Sequence, residues 1–133
     1  MVAKSHSKDL RKGRYSENNR IYLLTTVTYQ RQKVFADIVL GRIVIQAMRQ
    51  QEQEGKVNSL AFVVMPDHFH WLISLQNGWS LAEVMRSVKG VSSYKIQKIR
   101  RELSEIKERQ ALWQNGFHDH ALRKEEDLQK LAR

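Results

Sequence analysis

The residues of this sequence with the clearest chemical potential are two histidines separated by a single phenylalanine. His68, Phe69 and His70 begin a run of apolar and aromatic residues that is typical of a β-strand. Because alternate side chains of a strand share one face, the two imidazoles would project side by side. Such a pair can bind one divalent cation if at least one oxygen ligand comes from elsewhere. The His-x-His pattern alone is weak evidence, since ordinary strand histidines are commoner than metal ligands.

The elements that must position this pair follow from residue patterns. They are strands over residues 20–29, 59–65, 68–75 and 116–122, and helices over 36–54, from Ser80 onward, and over 124–133. Residues 59–65 are apolar on both alternating faces, which predicts a central strand. Pro66-Asp67 would join this strand to the next in a hairpin. The order predicts an α+β, ferredoxin-like βαββαβ sandwich with an antiparallel sheet, followed by a helix.

The second helix has a start signal and an apolar stripe. Ser80 with Glu83 three residues later forms a capping-box pattern. The stripe consists of Leu81, Val84, Met85, Val88, Ile96 and Ile99. Phe69 and Trp71 alternate with the two histidines, so they would face away from them and enter the core.

The charge of the chain favours a polyanionic partner. Among 133 residues, 23 Lys and Arg against 14 Asp and Glu give a net charge of +9, and phosphate contacts by basic groups release condensed counterions. We divide the chain into a basic N-terminal arm, residues 1–19, and one domain, residues 20–133. The candidate DNA contacts are Arg11, Lys12, Arg14, Arg31, Lys33, Lys89 and Lys95. Each would hold a phosphate rather than read a base, and for each the alternative is a solvated surface charge.

Composition excludes several classes of protein. The chain has no cysteine, which removes disulfides, thiolate zinc sites and cysteine nucleophiles. Its polar, basic start does not resemble a secretory signal. No run of about 18 consecutive apolar residues could span a membrane. We therefore expect a cytoplasmic protein without a membrane partner.

Two segments carry a resemblance to a known family. The run Val63-Val64-Met65-Pro66-Asp67-His68-Phe69-His70-Trp71-Leu72 resembles the signature of single-tyrosine, HUH-type transposases, in which an apolar strand leads into Met-Pro and a His-apolar-His pair. The segment from Leu112 to Leu128, with Trp113-Gln114-Asn115-Gly116-Phe117 near its start, resembles a late segment of the same family. The similarity covers roughly residues 14–133 and is greatest to the REP-associated tyrosine transposases.

The resemblance implies a DNA-cleaving enzyme. Family members cut single-stranded DNA beside a hairpin: a tyrosine hydroxyl attacks the scissile phosphate and leaves a 5′-phosphotyrosine link. On this basis His68 and His70 are the metal ligands, and the cofactor is Mg²⁺ or Mn²⁺. Imidazole is not a preferred ligand of Mg²⁺, so Mn²⁺ is expected to bind better. The partner would be single-stranded or hairpin DNA of a bacterial nucleoid, and the REP-associated group implies a monomer rather than a dimer.

The nucleophile is the point at which this chain departs from the family pattern. The family's Tyr-x-x-x-Asn run follows a segment that resembles Glu125-Glu126-Asp127-Leu128, so its tyrosine would be expected immediately after Arg133. We therefore expect these 133 residues to bind DNA without cleaving it. Tyr94 is the internal substitute, although a half-buried or DNA-stacking ring is the simpler interpretation. Asp119 and His120 match a family acid-histidine pair that could support the active site, or could equally form hydrogen bonds within the last strand.

Two other classes of function fit part of the sequence. A non-catalytic, basic nucleic-acid-binding module of ferredoxin-like fold is one alternative, although the Lys/Arg-Gly-Phe/Tyr run of RNA-recognition modules is missing. A metal-dependent hydrolase without a covalent step is the other. It would need carboxylates near His68, where the sequence supplies only Asp67.

Overall fold

The computed structural model describes residues 19–103 and 110–122 of the chain. The elements are strand β1 (Ile21–Val27), two short 3-10 turns (Tyr29–Arg31 and Val34–Ala36), helix α1 (Ile38–Gln53), strands β2 (Val57–Met65) and β3 (His68–Leu75), helix α2 (Leu81–Leu103) and strand β4 (His118–Leu122). The predicted order of strands and helices is confirmed. The predicted basic arm, except Asn19, and the predicted helix over 124–133 lie outside the described residues.

The four strands form one antiparallel sheet in the order β2-β3-β1-β4. β1 and β3 occupy the centre, and Thr25 pairs with His70 while Val27 pairs with His68. On the other side of β1, Thr25 pairs with His118 of β4. The order of the elements and this arrangement of the sheet confirm the α+β, ferredoxin-like fold.

Strict alternation along β1 and β3 separates two faces of the sheet. Phe69 and Trp71 are 0% exposed and belong to one core cluster with buried residues of α1 and α2. His68 and His70, at the alternate positions of β3, are only partly buried on the opposite face. The prediction that Phe69 and Trp71 enter the core is therefore confirmed. The two helices cover the first face, and the histidines lie on the second, which we call the histidine face.

The prediction of a central strand over residues 59–65 is wrong. Among the strands that the structure describes, β2 pairs only with β3 and therefore forms an edge of the sheet. Its apolar residues on both faces predict burial on both sides of the sheet, yet four of them are between 42% and 52% exposed: Leu60, Phe62, Val63 and Met65. An alternation pattern shows which residues are apolar but not which strands are neighbours in the sheet. An apolar edge strand therefore has the same sequence pattern as a central strand.

Capping residues fix where the two helices begin. The Asp37 carboxylate accepts a hydrogen bond from the backbone N–H of Val39, 2.9 Å away, at the start of α1. At the start of α2 the backbone N–H of Glu83 donates to Ser80 Oγ, and the backbone N–H of Ser80 donates to Glu83 Oε1, both at 3.1 Å. The predicted capping box is confirmed. None of the described helices is long and apolar enough to cross a membrane.

Candidate functional site

The histidine pair opens strand β3, directly after the two-residue Pro66-Asp67 turn. The imidazole ring centroids of His68 and His70 lie 4.9 Å apart, and the ring planes meet at 80°. The side chain of His68 is 19% exposed. Two nitrogen donors are thus adjacent on one face of a rigid strand, at a spacing that suits a shared cation.

Each imidazole is anchored through its Nδ1 atom. The Nδ1 atom of His70 forms a 2.8 Å hydrogen bond with the hydroxyl Oγ1 of Thr25, its neighbour on β1. His68 Nδ1 lies 2.7 Å from Oδ1 of Asp67, a distance at which Nδ1–H donates to the carboxylate. With Nδ1 engaged, Nε2 is the ring nitrogen left to bind an external group. Such second partners fix the tautomer and orientation of histidine ligands.

Asp67 is itself held by a basic turn at the end of β1. Arg31 Nε donates to Asp67 Oδ2 over 3.1 Å. Gln30 and Arg31 have positive φ values of 54° and 53°, a conformation that is uncommon for residues other than glycine. The hydroxyl of Thr28 secures the turn, because it donates to the backbone carbonyls of Asp67 and Gln32. A chain of contacts therefore runs from Arg31 through Asp67 to His68.

The surroundings of Asp67 and His70 lower the pKa of both side chains. The hydrogen bond to His68, followed by the charge and hydrogen bond of Arg31, lowers the pKa of the Asp67 carboxyl despite opposing desolvation. Burial against the sheet, together with the neighbouring His68, lowers the pKa of His70. A carboxylate and a neutral imidazole are therefore the forms present near neutral pH.

A second feature of the site is a loop between β1 and the segment that leads into β4. Thr28 pairs with Trp113, and Thr25 pairs with His118. Between these two pairs, Thr26 and Val27 of β1 lie opposite four residues, 114–117. The extra length opens a cavity of about 240 Å³ at this point. Gly116 has a φ of 78°, which the turn of the loop requires.

Two side-chain contacts hold this loop in place. The Lys89 ammonium group donates to the backbone carbonyl of Gln114 over 2.9 Å and also to that of Gly116. Burial lowers the pKa of Lys89. The Trp113 indole N–H donates to Ser92 Oγ over 3.0 Å, and its ring packs at 5.6 Å from the ring of Phe69. The loop is thus tied to α2 at both ends.

The predicted DNA contacts occupy separate parts of the molecule. Arg31 and Lys33 are exposed in the turn beside Asp67, and Lys95 is exposed on α2. Lys89 directs its charge to the loop carbonyls, a structural contact that the sequence did not suggest. Arg11, Lys12 and Arg14 lie outside the described residues.

Tyr94 is not brought together with the histidine pair. It is 67% exposed on α2, the helix that packs on the opposite face of the sheet. Ser92 and Ile96 of the same helix are fully buried, and a separation of two residues places Tyr94 about 200° around the helix from each of them. Its ring therefore points away from the sheet.

Of the predicted supporting pair, one residue shares the histidine face. His120 pairs with Leu23 and is exposed on the same face as His68 and His70, whereas Asp119 pairs with Leu24 on the opposite face. His118 is nearer in register, because Thr25 lies between it and His70 across three strands. No group of three or more His, Asp or Glu side chains suited to one metal ion occurs among residues 19–103 and 110–122.

Thr25 is the functional candidate that sequence reasoning missed. It touches the Nδ1 atom of His70 and also lines the cavity beside β4. In the sequence it is one of three threonines in a strand-forming run, and strand propensity explains all three. Only the pairing register of β1 with β3 and β4 distinguishes it from the others.

The fold and the strand-borne histidine pair define an α+β domain with two candidate metal ligands on the sheet face opposite the two described helices. A family model described as "Transposase IS200 like" matches residues 16–131. The chain belongs to the IS200-like transposase family, which confirms the resemblance to single-tyrosine transposases.

Solved structures share this fold. One is a REP-associated tyrosine transposase bound to a REP hairpin, with a TM-score of 0.70 and 18% identity over 89% of this chain and 65% of that chain. Another, from Deinococcus radiodurans R1 and described as a transposase, has a TM-score of 0.65 and 21% identity over 91% of this chain and 92% of that chain. This chain thus spans less than two thirds of the first structure's length. No curated protein matches it.

Proposed function

We propose that this chain binds single-stranded DNA beside a hairpin and that it is the DNA-handling part of a transposase that cleaves and rejoins DNA. The observation that carries the proposal is the histidine pair, which lies on the histidine face with both Nδ1 atoms engaged. Family membership supports a DNA substrate, and the REP hairpin bound by a protein of the same fold supports hairpin DNA. The net charge of +9 suits a polyanion.

The residues fit a divalent metal as two of its ligands. The imidazole rings of His68 and His70 are adjacent, and the described residues supply no group of three His, Asp or Glu side chains suited to one metal ion. The remaining ligands would be oxygens of the DNA, of water, or of chain segments beyond those described. Mg²⁺ or Mn²⁺ would supply Lewis-acid polarisation of the scissile phosphate. Thr25 and Asp67 contribute by holding the two rings in place before the substrate arrives.

The covalent step needs a tyrosine hydroxyl near the histidine face. Its oxygen would form a bond to phosphorus as the 3′-oxygen leaves, giving a 5′-phosphotyrosine link that retains the energy for rejoining. Tyr94 points away from this face, and the resemblance to the family favours a nucleophile outside the described residues. That placement and the monomeric state stay predictions.

The residues of the histidine face distinguish this proposal from single-stranded RNA recognition by a similar fold. RNA-recognition sheets stack bases on exposed aromatic rings. Here Phe69 and Trp71 of β3 are fully buried, and the alternate positions of β3 carry histidines, a leucine and a serine. Paired imidazoles in this place favour phosphate chemistry over base stacking.

The test combines binding with adduct formation. Fluorescence anisotropy would compare a hairpin DNA carrying single-stranded flanks with single-stranded RNA of the same length. A denaturing gel would then test for a covalent adduct in Mn²⁺ with the 133-residue chain. We expect preference for hairpin DNA, and loss of any adduct in His68→Ala and His70→Ala.

A matched comparison uses another histidine of the same face. His120→Ala removes an exposed imidazole one strand beyond β1. Retained adduct formation in this variant, with loss in the other two, restricts the chemistry to the pair. Preference for RNA over hairpin DNA would contradict the proposal. An adduct that forms equally well without either histidine of the pair would contradict the metal role.

A further inference from the structure

The cavity between β1 and the loop 114–117 is a site that the proposed chemistry does not use. Thr25 links the two, because it contacts His70 Nδ1 and also lines the cavity. His118, another lining residue, lies on the far side of Thr25 in the same row of the sheet. Two strand spacings, about 10 Å, therefore separate His118 from His70. The cavity thus lies beside the place proposed for the scissile phosphate.

The lining groups are suited to a neutral, polar, planar ligand. Thr26 alternates with Thr25 and pairs with the buried Phe69, so its side chain lies at the inner side of the cavity, toward the helices. It is 1% exposed, and its hydroxyl has no hydrogen-bond partner among the described residues. Asn115 contributes an exposed side-chain amide, and Phe117 and His118 are the aromatic residues of the lining. Hydroxyl and amide groups both donate and accept hydrogen bonds, as the edge of a nucleobase does.

Size and charge argue against a phosphate or a larger ligand. A volume of about 240 Å³ lies below the roughly 300–1,000 Å³ typical of small-molecule clefts, and it suits a single ring system. The nearby cation, Lys89, already donates to the loop carbonyls of Gln114 and Gly116. Its charge is therefore directed to the protein backbone rather than to a ligand.

We propose that the cavity beside β4 receives one unpaired nucleobase of the bound strand, within two nucleotides of the phosphate at the histidine pair. Thr26 and Asn115 would bond the base edge while a ring of the loop stacks on its face. Stacking on aromatic side chains, combined with hydrogen bonds to base edges, is how proteins hold splayed bases. This inference rests on the proposed function, because it needs a DNA strand on the histidine face.

The experiment is an abasic scan of a hairpin DNA with single-stranded flanks. Each unpaired nucleotide in turn would lack its base, and fluorescence anisotropy would give the dissociation constant for the full 133-residue chain. With the unaltered chain, the absence of the base at one position is expected to weaken binding about tenfold, the combined effect of losing a stacked base and its hydrogen bonds.

Two variants connect that position to the cavity. Thr26→Val removes the unpartnered hydroxyl at nearly constant volume, and Asn115→Ala removes an exposed amide. In either variant the penalty at the sensitive position should shrink to below about threefold. Asn58→Ala removes an exposed amide on β2, at the opposite edge of the sheet, and should retain the full penalty.

The outcomes separate the two proposals. Equal abasic penalties in the unaltered chain and in both cavity variants would overturn the base-binding inference while leaving hairpin binding intact. Failure of the unaltered chain to bind the intact hairpin would overturn the proposed function, and the cavity inference with it. Because Asn115 is an exposed loop residue, its variant answers the question even if Thr26→Val does not fold.

Discussion

Replacement of Asp67 should show whether its carboxylate holds the His68 ring in the orientation that binds a metal. Its carboxylate is 2.7 Å from His68 Nδ1 and 3.1 Å from Arg31 Nε. Loss of an outer partner of a histidine ligand typically costs 10–100-fold in metal affinity. We expect Asp67→Ala to weaken Mn²⁺ binding by about that factor. Asp67→Asn should have a smaller effect, because the amide oxygen can still accept the Nδ1–H bond without a full charge.

The assay needs two measurements, the affinity for Mn²⁺ and the tautomer of the His68 ring. Electron paramagnetic resonance would give the Mn²⁺ affinity, and ¹⁵N NMR of the imidazoles would report the tautomer of His68 without metal. In the unaltered chain we expect the proton on Nδ1, and in Asp67→Ala a mixture of tautomers. Glu102→Gln is the matched control, because it removes an exposed carboxylate near the end of α2.

One result would refute this reasoning. If Asp67→Ala leaves both the His68 tautomer and the Mn²⁺ affinity unchanged, the carboxylate does not position the ring. An equal loss of affinity in Glu102→Gln would mean that general charge, rather than the contact with His68, is responsible. Arg31→Gln offers an intermediate case: it removes the ion pair with Asp67 and leaves the bond to His68 in place, so its effect should be smaller than that of Asp67→Ala.

Three further predictions concern the loop, helix α2 and the dependence on pH. Lys89→Met removes the donors to the carbonyls of Gln114 and Gly116; it should lower the free energy of unfolding by about 1–3 kcal/mol and speed hydrogen exchange in the loop, and unchanged exchange would contradict the role of Lys89. Gly90→Ala should raise the free energy of unfolding by about 1 kcal/mol in a urea titration, because an added Cβ meets nothing within 4 Å; a loss of stability would show that this glycine is required. Because the pKa of His70 is lowered in the folded chain, the imidazole is protonated more readily in the unfolded chain. The contribution of His70 to the free energy of unfolding is therefore complete above a pH of about 6.5 and should decrease as the pH falls below that value. His70→Gln should flatten that decline between about pH 7.5 and 5.5, and an equally steep decline in the variant would assign it to other groups.

Local patterns were sufficient for most of the fold because its elements follow local chemistry. The bounds predicted for β3, residues 68–75, agree with His68–Leu75, since strict alternation and the Pro66-Asp67 break mark both its faces and its start. The capping box at Ser80 likewise needs only residues of its own turn. The position of β2 in the sheet could not be predicted in this way, because it depends on which strands lie beside it.

The candidate site was predictable only in part for the same reason. The adjacency of His68 and His70 follows from a two-residue period within one strand. Thr25, in contrast, contacts a histidine that lies 45 residues later in the sequence. The cavity forms because four residues, 114–117, lie opposite two residues of β1 between the Thr28–Trp113 and Thr25–His118 pairs. Such registers are set by packing of the whole sheet, which single-strand patterns do not contain.

The two histidines are consequently held by different kinds of partner. His68 is tied through the Asp67 carboxylate to the basic turn at Arg31, so changes in that turn should reach the pair through His68. His70 is tied to the neutral hydroxyl of Thr25, which also lines the loop cavity, so changes on the β4 side should reach the pair through His70. A carboxylate partner raises the basicity of an imidazole more than a hydroxyl does. His68 should therefore be the stronger ligand, and His70 the one that responds to what occupies the cavity.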